Sequence, residues 1–165
     1  MNLDNRGFLY AEVLIMIAIM GTPFTVGAIA GRNFLANTIA EFEAAKLIAS
    51  IRNVQELNRN SYIVREGEFK KIEPKNSTLF IIDIEDNSYK IKSTPLKFEI
   101  RDYTAIKNIT YKATSSFGSG IIFNIDGNPK RLGSVEIKAK LTEKNANRYV
   151  IIDKAGRIRM DRIVR

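Results

Sequence analysis

The polarity of the chain changes abruptly after its seventh residue. Met1 to Gly7 is a short polar leader, and Phe8 to Gly31 is apolar apart from one acid, Glu12. From Val13 to Gly31 there is no charge, and Arg32 is the next charged residue. As a helix, the 24 residues from Phe8 to Gly31 extend about 36 Å, enough to cross a hydrocarbon core of about 30 Å. A carboxylate at the centre of such a segment is unfavourable by about 2.5–3.5 kcal/mol, and by less near its end. Glu12 is therefore expected to serve a purpose that offsets this cost.

The helical period continues beyond Arg32. Phe42, Leu47, Ile48, Ile51, Val54 and Gln55 recur at spacings of three and four and predict one apolar face, with Glu41, Lys46, Arg52 and Glu56 elsewhere. Asn58-Arg59-Asn60-Ser61 reads as the stop. One long helix is thus predicted, apolar in its first half and amphipathic in its second, with the second half lying against a sheet. Gly21, Pro23 and Gly27 interrupt the first half, and Pro23 removes a helix hydrogen bond and favours a kink.

After Ser61 the pattern changes to short runs of Ile, Val, Phe and Tyr between turn residues. They predict strands over Tyr62–Arg65, Phe69–Ile72, Thr78–Ile84, Ser88–Lys92, Lys97–Ile100, Asn108–Ala113, Gly120–Ile125, Ser134–Lys140, Arg148–Asp153 and Arg157–Met160. Asp86-Asn87 and Asp126-Gly127-Asn128-Pro129 read as turns, and Ser115 to Gly120 as a flexible loop. Tyr89-Lys90-Ile91-Lys92 and Val135-Glu136-Ile137-Lys138 alternate, so these strands should have one wet face. The predicted class is α+β: a long N-terminal helix, membrane-spanning in its first half, packed on a C-terminal antiparallel β-sheet domain. Its segments are a leader (1–7), a membrane segment (8–31), an amphipathic helix half (32–60) and a β domain (61–165).

Composition narrows the chemistry. The chain has 165 residues, with no Cys and no His. Disulfides, thiolate metal sites and the commonest general base are therefore missing. No acidic pair suggests a carboxylate mechanism, so no catalytic residue, metal or cofactor is expected. Charge is distributed unevenly. Residues 1–100 hold 12 basic and 12 acidic side chains, whereas residues 101–165 hold 14 and 6. The whole basic excess lies in the C-terminal part and suggests an anionic partner, nucleic acid or a lipid surface.

Gly7, Phe8 and Glu12 together resemble the prepilin signal of type IV pilins and type II secretion pseudopilins. In that family a glycine precedes the cleavage site, an aromatic residue follows it, and a Glu stands at the fifth position of the mature chain. The resemblance implies that prepilin peptidase cuts after Gly7 and methylates the new amino group of Phe8. It implies that the helix is first an anchor in the inner or cytoplasmic membrane and later the core of a filament made with other pilin or pseudopilin subunits. It also implies that Glu12 meets an N-terminal amine during assembly, which would make a buried acid tolerable. The leader departs from the usual basic ones, because Asp4 offsets Arg6, and Leu9-Tyr10-Ala11 stands where Thr-Leu-Ile is commoner. Glycine and proline in the first helix half imply local loosening inside a filament; a simple membrane-helix kink is the other reading.

Near the C-terminus, Gly120-Ile-Ile-Phe-Asn-Ile-Asp-Gly127, then Val135-Glu-Ile-Lys-Ala, then Tyr149-Val-Ile-Ile-Asp-Lys-Ala-Gly156-Arg157-Ile158 resemble the GspH/FimT group of minor pilins and pseudopilins. Period-2 spacing would put Arg157 and Arg159 on one face of a strand, with Lys138 and Lys140 likewise on a neighbouring strand. Arg162 and Arg165 complete a basic tail. Guanidinium groups suit phosphate oxygens. Gly156-Arg157-Ile158-Arg159 also resembles the Gly-Arg-x-Arg motif of FimT-like minor pilins that bind DNA during natural transformation. DNA held by this basic tail is accordingly a candidate partner, bound through its backbone and sensitive to salt. The bland alternative is a solvated arginine face or a contact with a neighbouring subunit.

Two other readings of the N-terminus stay open. Ala28-Ile29-Ala30 offers the cleavage site of an ordinary secretory signal, leaving a soluble β protein, and the segment could be a plain anchor. The prepilin reading expects a single-pass membrane protein with its C-terminal domain outside the cytoplasm, incorporated into a type IV pilus, a competence pilus or a type II secretion pseudopilus.

Overall fold

A computed structural model of the chain describes residues 5–59, 62–65, 68–71, 80–93, 98–117, 120–124, 126–140 and 146–162. Helix α1, Asn5–Arg59, is continuous for 55 residues and ends where the Asn58-Arg59-Asn60-Ser61 stop places it. Its first half stands clear of the rest of the molecule: Leu14, Ile17, Met20, Phe24 and Ile29 are all exposed. By length and composition α1 is able to cross a membrane. Pro23 sits inside it and cannot donate to the carbonyl of Ile19, four residues back. The Thr22 hydroxyl donates to that carbonyl at 3.0 Å, and the Thr25 hydroxyl donates to the Thr22 carbonyl at 2.8 Å. The Thr22 side chain thus supplies a hydrogen bond where the backbone lacks one.

Ten strands follow among the described residues: β1 Tyr62–Arg65, β2 Glu68–Lys71, β3 Phe80–Ile84, β4 Ser88–Ser93, β5 Phe98–Thr104, β6 Ile109–Ala113, β7 Ile121–Ile122, β8 Gly133–Ala139, β9 Ala146–Ile152 and β10 Ile158–Asp161. Each predicted run overlaps one of them; Ile72, Thr78, Leu79, Lys97 and Ile125, at the ends of four runs, lie outside the described residues. Instead of one sheet there are two four-stranded sheets, ordered β5-β4-β3-β7 and β10-β9-β8-β6, beside a β1-β2 hairpin. All pairings are antiparallel. The split arises because β6 pairs with β8 rather than with β5, while β7 returns to the first sheet against β3. Alternation along a strand shows which face is wet but not which strand is its neighbour. The wet faces themselves are as predicted, since burial alternates along β4 and along most of β8.

The second half of α1 packs against β9, β8, β10 and β3. Its buried face is Ala36, Ala40, Glu43, Ala44, Leu47, Ser50, Ile51, Val54 and Asn58. This corrects the predicted face at Phe42, which is 58% exposed. Alanines occupy the buried face there, so the helix backbone lies close to the sheets and leaves no depth for a phenyl ring. Glu43 is wholly buried. Its Oε2 accepts the Tyr111 hydroxyl at 2.7 Å and its Oε1 accepts the Ile106 N–H at 3.3 Å. Lys46 Nζ is 3.6 Å from it and stands over the Tyr103 ring. Two further polar residues join helix to sheet: Ser50 bonds Tyr89 at 3.0 Å, and the Asn58 amide both donates to and accepts from the Phe80 backbone.

The expected Gly120–Ile125 strand is cut short. Among the described residues of this run only Ile121–Ile122 forms β7, with an isolated bridge between Phe123 and Pro129 closing the predicted turn. The segment read as a flexible loop begins with a short 3-10 turn, Ser115–Phe117, whose Phe117 is buried in the core.

Candidate functional site

Gly7, Phe8 and Glu12 lie at one end of α1, and Arg157 and Arg159 lie near the other. Gly7 and Phe8 lie within the first turns of the helix, which begins at Asn5, so the Gly7-Phe8 junction has helical backbone. Glu12 is exposed on the free half. Among the described residues, Tyr10 to Arg32 are all exposed.

At the other end, the last turns of α1 meet the loop between β9 and β10. Asp153 closes this loop. Its Oδ1 accepts the N–H groups of Ala155 and Arg157, both at 3.0 Å, and its Oδ2 accepts Arg157 Nε at 2.9 Å. The backbone hydrogen bonds from Arg157 lead the effects that hold the Asp153 carboxyl below its usual range. Gly156 turns the chain with a positive φ of 74°. A side chain there would come within 2.8 Å of the Gly127 carbonyl. Gln55 ties the parts together: its Nε2 donates to the carbonyl of Gly127 at 2.6 Å and to that of Gly156 at 3.2 Å. The two glycine turns singled out in the sequence are thereby pinned to one helix residue.

Above this junction opens a cleft of about 490 Å³ lined by Arg52, Gln55, Asp153, Gly156, Arg157, Ile158 and Arg159. Three arginines and one aspartate are among its lining residues, and of the three Arg157 is the one bonded to Asp153. Arg159 lies in β10, the edge strand of its sheet, opposite Ile151. Arg52 reaches the cleft from the helix. It stands 20 residues beyond Arg32, about 30 Å along the helix axis. That distance places the cleft far from the apolar half, a poor position for touching the lipid in which that half would sit.

The other basic candidates lie elsewhere. Arg162 is at the far end of β10, with its Nη2 3.7 Å from Glu41. Lys138 is on β8, separated from β10 by β9 rather than adjacent to it. Lys140 follows the end of β8 and is exposed, and Arg165 lies outside the described residues. Arg157, just before β10, and Arg159, within it, line the same cleft. Sequence reasoning missed Arg52, Gln55 and Asp153. An i, i+3 pair of Arg and Gln on a helix was visible, but nothing in the chain ties it to a loop about a hundred residues later.

Arg162 belongs to a second polar group, centred on the almost fully buried Arg148 of β9. Arg148 Nη2 donates to Glu41 Oε1 at 2.6 Å and to Asn37 Oδ1 at 3.1 Å, and Nη1 donates to the Asn147 carbonyl at 2.9 Å. The Arg148 hydrogen bond and charge hold the Glu41 carboxyl below its ordinary value of 4.5. The stabilisation from this pair is therefore complete above pH 4.5 and is lost as pH falls through the lowered value. In denaturant titrations, Glu41→Gln should be less stable than the parent at neutral pH, and the difference should shrink as pH falls below 4.5. A difference that persists unchanged in acid would show that the carboxylate charge is not what matters.

Comparison with protein-family models, with curated proteins and with solved structures returns no match.

Proposed function

We propose that the chain is a minor pilin or pseudopilin, a structural subunit of a type IV pilus, competence pilus or type II secretion filament rather than an enzyme. The observation that carries this reading is the helix: 55 continuous residues, apolar and unpacked in the first half, sheet-bound in the second. A cleaved signal or a plain anchor does not need one unbroken rod running from a membrane segment into a domain core. A filament subunit does, because the free half supplies contacts between subunits while the packed half carries the domain. The Gly7-Phe8-Glu12 pattern supports the same reading. Prepilin peptidase would cut after Gly7 and methylate Phe8, and Glu12 would set the register of the helix against its neighbours. The domain would lie outside the cytoplasm on a single-pass anchor.

N-terminal sequencing of the mature protein, purified from cells that carry a prepilin peptidase, tests this directly. The expected start is a methylated Phe8. A start at Gly31 would mark an ordinary secretory signal and end the filament reading.

A second reading, a DNA-binding minor pilin for DNA uptake, is favoured by one specific observation. Arg157 and Arg159 line a concave cleft with a third arginine, instead of lying scattered on a flat solvated face. This reading requires the chain to bind DNA at low salt, with affinity that falls steeply as salt rises.

A further inference from the structure

The three arginines of the cleft are not equivalent. Arg157 is 81% exposed, but its Nε is taken by Asp153 at 2.9 Å, so its charge is partly offset where it stands. Arg52 and Arg159 are both exposed and bring charge to the same cleft from two different elements, α1 and β10. Gln55, one turn along from Arg52, bonds the carbonyls of Gly127 and Gly156, and Gly156 itself lines the cleft. A guanidinium on a packed helix and another on a paired strand are held on frames that do not move independently. This arrangement favours contact with successive phosphates of a polymer over capture of an isolated anion.

We infer that Arg52 of the helix, acting with Arg159, is a primary phosphate-contacting residue for a DNA backbone, and that Asp153 is a built-in competitor that weakens the contribution of Arg157. The inference rests on the second reading above and deepens it, because the Gly-Arg-x-Arg segment alone places the contact on Arg157 and Arg159. Asp153 also has a structural duty through Oδ1, which asparagine preserves, so charge and turn formation are separable at this position.

The experiment uses the full chain in non-ionic detergent micelles and a short fluorescein-labelled DNA duplex, read by anisotropy between about 50 mM and 200 mM salt. Arg52→Gln should weaken binding about tenfold, as much as Arg159→Gln, and lower the logarithmic salt slope by about one. Arg157→Gln should have a smaller effect than either. Asp153→Asn should tighten binding severalfold. Arg52→Lys, which keeps the charge but loses the planar fork, should fall between parent and Arg52→Gln; it also serves as the measurable variant if Arg52→Gln does not fold. If Arg52→Gln binds like the parent while Arg157→Gln and Arg159→Gln lose affinity, the helix arginine has no part and the inference fails, although the DNA reading survives. If the parent chain does not bind DNA at about 50 mM salt, the DNA reading fails and takes the inference with it. Displacement of the duplex by anionic phospholipid vesicles, or by inorganic phosphate at matched phosphate concentration, would assign the cleft to a headgroup or a free anion and overturn the proposal.

Discussion

Alanine at Gly120 will destabilise the folded domain by about 3 kcal/mol. Gly120 leads into β7 with a positive φ of 133°, a conformation that L side chains rarely adopt. The space is also closed. A Cβ at this position would lie 2.5 Å from the carbonyl oxygen of Ile82 and 3.1 Å from its carbonyl carbon. Neither atom belongs to a side chain that could rotate away. Ile82 is fully buried in β3 and pairs with Ile91 on one side and Ile121 on the other. Relief of the clash would therefore require β7 to leave the sheet edge. Gly27→Ala is the matching control, because a Cβ there meets nothing within 4 Å and alanine favours the helix by about 0.5–1 kcal/mol. Guanidinium unfolding monitored by circular dichroism would compare the two. If Gly120→Ala unfolds at the same denaturant concentration as the parent, β7 is not held as described.

Glu43→Ala should cost a similar amount, about 3 kcal/mol, for a different reason. The substitution opens a cavity between helix and sheets. It also leaves the Tyr111 hydroxyl and the Ile106 N–H without their acceptor. Tyr111 is only 2% exposed, so water cannot readily replace the carboxylate. Burial, and then the hydrogen bond to Glu43, push the Tyr111 phenol well above its ordinary value of 10. The phenol therefore remains a donor across the accessible pH range and needs an acceptor throughout. Glu43→Gln retains one acceptor oxygen, which can serve Tyr111 but turns an amide NH2 toward the Ile106 N–H, so it should cost less than alanine, about 2 kcal/mol. The discriminating measurement is the gap between the two variants. Equal losses would mean that the charge, through Lys46 at 3.6 Å, matters more than the hydrogen bond to Tyr111.

These two residues also show how far the chain could be read before its structure was seen. The helix end at Arg59 was legible, because polar residues unsuited to propagation follow a strong helical period. Strand β1 was legible to the residue. Glu43 was not, since an acid among apolar neighbours looks like the wet face of a helix until a buried hydroxyl is found facing it. Phe42 misled for the opposite reason: its size suggested burial, but the close helix–sheet contact is made by Ala36, Ala40 and Ala44. The division into two sheets depends on pairings between strands far apart in the chain, which local alternation does not encode. The arginine cleft was half legible, because Arg157 and Arg159 share a strand period while Arg52 reaches them only through the packing of α1.

The unbroken course of α1 couples direction to length. With the Thr22 hydroxyl bonded to the carbonyl that Pro23 leaves open, helical geometry extends from the free half into the domain. One residue inserted just after Arg32 would turn the whole domain by about 100° about the helix axis and raise it by about 1.5 Å. Four inserted residues would lift it by about 6 Å and bring it back to within about 40° of its original bearing. The compass direction in which the arginine cleft faces is therefore set by the number of residues between Glu12 and Arg52, as much as by the identity of either.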